Sequence, residues 1–215
     1  MSGCCHTTVT FEGLSPGFKR ALWAVIIINA AMFTVEMTAG VLAQSQALKA
    51  DALDFLGDTT TYAISLAVIG APLAWRARAA LFKGLSLALL GLWVLGTTGY
   101  SVLILEVPRA ETMGIVGFLA LAANLISVLL LLRYRNGDAN VRSVWLCSRN
   151  DAIGNVAVIA AASGVWITAS AWPDLIVASV MASLFLWSSF QIVRQALGEL
   201  RHAREHADAA STIMS

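Results

Sequence analysis

Apolar residues gather into six long runs, near residues 20–44, 49–74, 83–105, 112–132, 140–168 and 173–197. A helix takes about 20 residues to cross the hydrocarbon layer of a bilayer, and each run is at least that long. Turn-forming and charged residues separate the later runs, in "APLAWRARA", "EVPRAE", "RYRNGDAN" and "SAWPD". The pattern predicts an all-α protein, a six-span transmembrane helix bundle over residues 18–198. Residues 1–17 and 199–215 are then short tails.

Composition agrees. The chain is 58% hydrophobic and only 13% charged, where a soluble domain carries about 25% charged residues. Its length holds one such domain. The formal net charge of +1 gives no support to nucleic-acid binding. The first run of residues, "MSGCCHTTVTFEGLSPG", lacks the basic and apolar stretches of a secretory leader, so none is expected. Cys4, Cys5 and Cys147 do not suggest a disulfide framework.

Charge placement sets an expected orientation. Eleven basic residues fall on one side of the six spans: Lys19, Arg20, Arg76, Arg78, Lys83, Arg133, Arg135, Arg142, Arg194, Arg201 and Arg204. The other side has Arg109, and Lys49 and Arg149 lie in or beside helices. Basic loops stay in the cytoplasm, so both termini are expected there. A faint internal repeat accompanies this. Asn29 and Asn124 are separated by nearly the same interval as Asp58 and Asp151, which suggests two three-helix halves.

Against this apolar background the stretch "LKADALDFLGD", residues 48–58, stands out. Residues three and four apart share a helix face, so Asp51, Asp54 and Asp58 form one stripe. An aspartate at mid-bilayer costs roughly 2.5–3.5 kcal/mol on insertion scales, and such acids default to a functional role. The fifth run repeats the device: "LCSRNDAIGN" sets Cys147, Asp151 and Asn155 at steps of four. Two ligands per helix, a turn apart, build a site between helices economically. Asp54, Asp58, Cys147 and Asp151 could hold one divalent cation tetrahedrally. A plainer reading pairs Lys49 or Arg149 with these acids, and lets Asp51 cap a helix start or face headgroups.

"LKADALDFLGD" together with "CSRNDAIGN" resembles the cation diffusion facilitator family of divalent-metal/proton antiporters. The resemblance covers roughly residues 18–198. By it, Asp54 and Asp58 take the paired positions of the second helix, and Cys147 and Asp151 those of the fifth. "WPDLIVA", residues 172–178, looks like the acid-bearing start of the family's last helix, and Asn29 and Glu36 like polar residues of its first. Asp51, Asn155 and Glu36 are accessory candidates. Cys147 stands where the family usually has histidine. A thiolate is softer, so Zn²⁺ and Cd²⁺ are expected over Mn²⁺ or Mg²⁺. The chain also resembles the truncated subgroup without the family's C-terminal cytoplasmic domain, which puts dimerisation by that domain in doubt.

The resemblance implies a secondary transporter and not an enzyme. It would export Zn²⁺ or Cd²⁺, with Co²⁺, Ni²⁺ and Fe²⁺ as further candidates, in exchange for protons. The metal ion is cargo, and no prosthetic group is expected. The expected partners are metal ions, protons, the lipid bilayer and a second copy in a homodimer, and the expected location is a bacterial inner membrane. Cys4, Cys5 and His6 are candidate metal acceptors at the cytoplasmic mouth, as is the pair His202 and His206. Two other classes stay open: an intramembrane enzyme of the aspartyl type, and an accessory membrane subunit whose acids are structurally paired. Glycines 40, 57, 70, 154 and 164 are expected to allow close helix contact.

Overall fold

The structure is a computed structural model. It describes the backbone of residues 15–67, 73–104, 106–134 and 139–214, and their side chains except at 65, 73, 74, 76, 139–148, 150 and 202–214. The described residues form six long helices: α1 (Pro16–Leu42), α2 (Gln46–Ala67), α3 (Leu73–Ile104), α4 (Ala110–Leu131), α5 (Ala139–Thr168) and α6 (Trp172–Met214). A single 3₁₀ turn, Leu132–Tyr134, follows α4. The fold is all-α.

Local chemistry sets the first helix start. Ser15 caps α1, its Oγ accepting from Phe18 N at 3.2 Å, and Pro16 follows at the position where a missing N–H is harmless. Three boundaries differ from the sequence expectation. Helix α2 spans Gln46–Ala67 where a run over residues 49–74 is expected. Helix α3 begins at Leu73, ten residues before its apolar run. The added turns are basic and aromatic, and Arg78 lies over the Trp75 ring at 5.6 Å. Such side chains extend a membrane helix into the headgroups. Helix α6 likewise runs on to Met214, so the expected tail is a helical continuation of the last span.

Helix contacts divide the molecule into a ring and a pair. α1 packs on α2, α2 on α5, α5 on α4, and α4 on α1, closing a four-helix ring. α3 and α6 make the most extensive contact of all and lean on this ring through α2 and α5. Gly84 allows their approach: a Cβ there would meet Val193 Cγ2 at 2.8 Å. Ser189 Oγ adds a hydrogen bond to the Gly84 carbonyl at 2.7 Å. Of the glycines expected to admit close contact, Gly40 faces Lys49 Cγ at 3.0 Å and Gly164 faces Pro173 Cβ at 2.9 Å. Gly57 and Gly154 meet nothing within 4 Å, and Gly70 lies outside the described residues.

The outer surface is as apolar as the interior. Leu103, Ile167 and Trp166 are 83%, 75% and 74% exposed, with dozens of similar residues around them. In water such a surface would aggregate, and in a bilayer it meets lipid. Among the described residues five helices are long and apolar enough to span a membrane, and α2 falls short, diluted by its acids and threonines. It nevertheless runs the full height of the bundle. At its start Ser45 and Gln46 touch α6 and α3 through Asp174 and Ser101. Near its end Tyr62 packs with Phe18, Leu22 and Leu131. The polar helix crosses because its neighbours, not lipid, surround it.

Candidate metal-transfer site

The start of α2 is held from outside. Asp174, at the first turn of α6 and 1% exposed, accepts from Ser45 Oγ at 2.6 Å, Gln46 N at 2.8 Å and Ala47 N at 3.0 Å. Ser45 Oγ in turn accepts from Leu48 N at 3.0 Å. An α-helix start leaves several N–H groups unpaired, and a carboxylate there also meets the positive end of the helix dipole. The cap that might have come from Asp51 therefore comes from another helix. Asp51 lies a turn and a half inside α2 and caps nothing. Lys49, beside this cap, feels the charge of Asp174.

One turn deeper, Asp51 is 2% exposed. Its Oδ2 accepts from Asn155 Nδ2 at 2.6 Å, and Asn155 Oδ1 accepts from Asn124 Nδ2 at 2.8 Å. The chain of contacts links α4, α5 and α2. Glu36 of α1 brings its carboxyl towards Asp51 from the fourth side. All four helices of the ring thus send a polar group into one buried layer.

Deeper again come Asp54 and Asp58. Both carboxyls are within hydrogen-bonding reach of Asp151 across the α2–α5 interface. Tyr62 OH donates to Asp58 Oδ2, and the Lys83 charge of α3 reaches the same carboxyl. The helices are antiparallel here: Asp51 meets Asn155, while Asp54 and Asp58 meet Asp151. That register carries position 147 of α5 to the level of Asp58. The Cys147 side chain lies outside the described residues, as do those of His202 and His206, and Cys4, Cys5 and His6 lie outside them entirely. Among the described residues no three His, Cys, Asp or Glu side chains stand arranged as a metal cage. Asp54 and Asp58 each approach Asp151.

Burial grades along α2. Residues 45–53 are buried except Lys49, whereas Leu56, Gly57, Asp58, Thr59, Thr60 and Thr61 are each partly exposed. Asp54 and Asp151 are also partly exposed. Among the described residues, burial is thus nearly complete over the first turns of α2 and partial around the acid triad.

Sequence reading singled out the three acids of the triad, and the structure brings them together. It also marked Asp51, Asn155 and Glu36, which meet in the adjoining layer. It missed the partners Tyr62 and Asn124 and the capping work of Asp174. Tyr62 was within reach: it continues the stripe four residues past Asp58. Asn124 stood out only as an amide in a membrane helix and as the repeat counterpart of Asn29.

Six long helices, apolar outside and acidic at the centre, define a multi-pass integral membrane protein. A family model described as the cation efflux transmembrane domain matches residues 76–201, from α3 into α6. The chain belongs to this cation efflux, or cation diffusion facilitator, family. It is 27% identical over 198 residues to the metal cation efflux system protein CzcD of Cupriavidus metallidurans. The match to the cation efflux system protein CzcD of an Alcaligenes species has the same identity and length. Each match covers 86% of this chain and 62% of the relative, so the chain spans less than two thirds of the length of these curated relatives.

Proposed function

We propose that the protein moves a divalent transition-metal cation out of the cytoplasm in exchange for protons, with Asp54, Asp58, Asp151 and Cys147 as its ligands. The observation that carries this reading is the meeting of three carboxyls across α2 and α5 inside a membrane bundle. Carboxyls that close hold together by sharing protons or by sharing a cation. Exchange of one for the other is then the chemistry the site is built for: metal binding releases protons, and protons arriving later displace the metal. Relatives named for metal cation efflux support the cargo class. Cys147 adds a soft donor at the level of Asp58, which favours Zn²⁺ and Cd²⁺ over Mn²⁺ and Mg²⁺, with Co²⁺, Ni²⁺ and Fe²⁺ between.

The graded burial of α2 supports a direction. With both termini in the cytoplasm, the partly exposed end of α2 faces inward, and the sealed start of α2 faces outward. A cation would reach the triad from the cytoplasmic side. Rocking of the α3–α6 pair against the four-helix ring would then open the other side, as expected where a site lies between packed repeats. The intramembrane-enzyme reading has less support, since no peptide groove is marked beside the triad among the described residues. The accessory-subunit reading needs the acids neutralised by Lys49 or Arg149. Asp174, outside the triad, is the acid whose charge Lys49 feels.

The test is metal uptake into inverted vesicles, one metal at a time, with proton release followed in parallel. Asp54→Asn, Asp58→Asn and Asp151→Asn, made singly, should each reduce uptake by about 100-fold or more, above the loss typical of groups that only support a ligand. Near-normal uptake in all three variants would place the site elsewhere.

A further inference from the structure

Beside the triad lies a second pair of buried acids, Glu36 and Asp51. Glu36 is fully buried at 0% exposure, and its carboxylate oxygens receive no hydrogen bond from any N–H or hydroxyl among the described residues, only the approach of the Asp51 carboxyl. An unpaired buried polar group ordinarily costs free energy, and an unpaired charge costs more. The carboxyl faces that of Asp51, which three helices hold in place through Asn155 and Asn124. Other basic residues of α1, Lys19 and Arg20, stand more than four turns away at the far end of the helix. Lys49 lies by Asp174.

From this arrangement we propose a second divalent-cation position, formed by Glu36 and Asp51, on the sealed side of the triad. Two carboxylates match the two positive charges of such an ion. Glu36 offers both oxygens at once, as in the bidentate carboxylates of oxygen-ligated cation sites. The Asn124–Asn155–Asp51 chain orients the second ligand, the way outer partners orient ligands in metal sites generally. Because all the donors are oxygen, the position takes hard and borderline cations and lacks the softness that a thiolate would bring. Asp51 and Asp54 are three residues apart, or about 4.5 Å along the helix axis. The cargo of the triad would therefore pass to Glu36 and Asp51 on its way out. The route rests on the proposed function; the site does not.

Mn²⁺ is the probe, because thiols and imidazoles elsewhere in the chain compete weakly for it. The full chain in detergent is titrated with Mn²⁺, and the free ion is read by its paramagnetic resonance signal. A chain carrying Asp54→Asn, Asp58→Asn and Asp151→Asn together should still bind one Mn²⁺. Adding Glu36→Gln should abolish that binding, and adding Asp51→Asn is the second variant, read in the same way if Glu36→Gln does not run as a monodisperse peak. Absence of Mn²⁺ binding in the triple variant overturns the proposal. So does equal binding with and without Glu36→Gln or Asp51→Asn, which would leave these acids a purely structural or proton-holding role. Failure of the triad reading looks different: the single triad variants would still transport.

Discussion

Cys147 is the residue on which cargo choice should turn. It stands one helical turn before Asp151, and the antiparallel register of α2 and α5 brings its position level with Asp58. A thiolate binds soft and borderline cations through sulfur, whereas imidazole suits a wider range. Cys147→His should keep transport and shift preference from Cd²⁺ towards Zn²⁺. Cys147→Ala should lose more, about tenfold or beyond in apparent affinity, because water replaces the ligand. Metal competition in vesicles decides it: an unchanged Cd²⁺/Zn²⁺ ratio in Cys147→Ala would make the cysteine a packing residue. The acids around it were legible in the sequence because charge is rare in an apolar run and the steps of three and four set one face. The amide chain Asn124–Asn155–Asp51 was not legible as a chain. Its links join three helices, and no spacing along one helix encodes which amide on another will meet it.

Single helices show where local pattern ends and packing begins. Over its described residues α2 falls short of a span by hydropathy, yet its apolar run over residues 49–74 is long enough to cross, and the acids of "LKADALDFLGD" recur at helical spacing. Its start was misjudged, since the group that caps it belongs to α6 and lies more than a hundred residues away. That contact is testable. Asp174→Ala strips the acceptors from Ser45 Oγ, Gln46 N and Ala47 N, and also removes a negative charge that Lys49 feels. The loss should be about 2 kcal/mol, in the upper range for a helix cap and larger than for a neutral hydrogen bond. Asp174→Asn keeps one acceptor oxygen and should lose less. Unfolding of the detergent-solubilised variants gives the order, and equal stability of Asp174→Ala and the unaltered protein would show that the cap contributes nothing.

At the scale of the whole molecule, the number of crossings depends on α2. If α2 crosses, six spans bring both termini to one side; if it does not, they part. The packing argues for crossing. The α1–α2 junction meets the starts of α4 and α6 at one end of the bundle, through Arg109 N to the Ala43 carbonyl at 3.0 Å and through Asp174 to Ser45. At the opposite end Tyr62 of α2 packs with Phe18 of α1 and Leu131 of α4, and Tyr134 stands edge-on to Phe18. α2 therefore connects the same two ends as its neighbours. The acids that make it a poor span on its own are shielded by α1, α3, α5 and α6, so the cost of roughly 2.5–3.5 kcal/mol per lipid-exposed aspartate does not apply in full. The uneven distribution of basic residues predicts that the Phe18 end faces the cytoplasm. Reporters fused before Pro16 and after Ser215 should both read cytoplasmic, and one inserted near Glu106 should read the other side. Opposite readings at the two termini would mean that α2 enters the bundle without crossing, and the inward-facing route to Asp54, Asp58 and Asp151 would have to be abandoned.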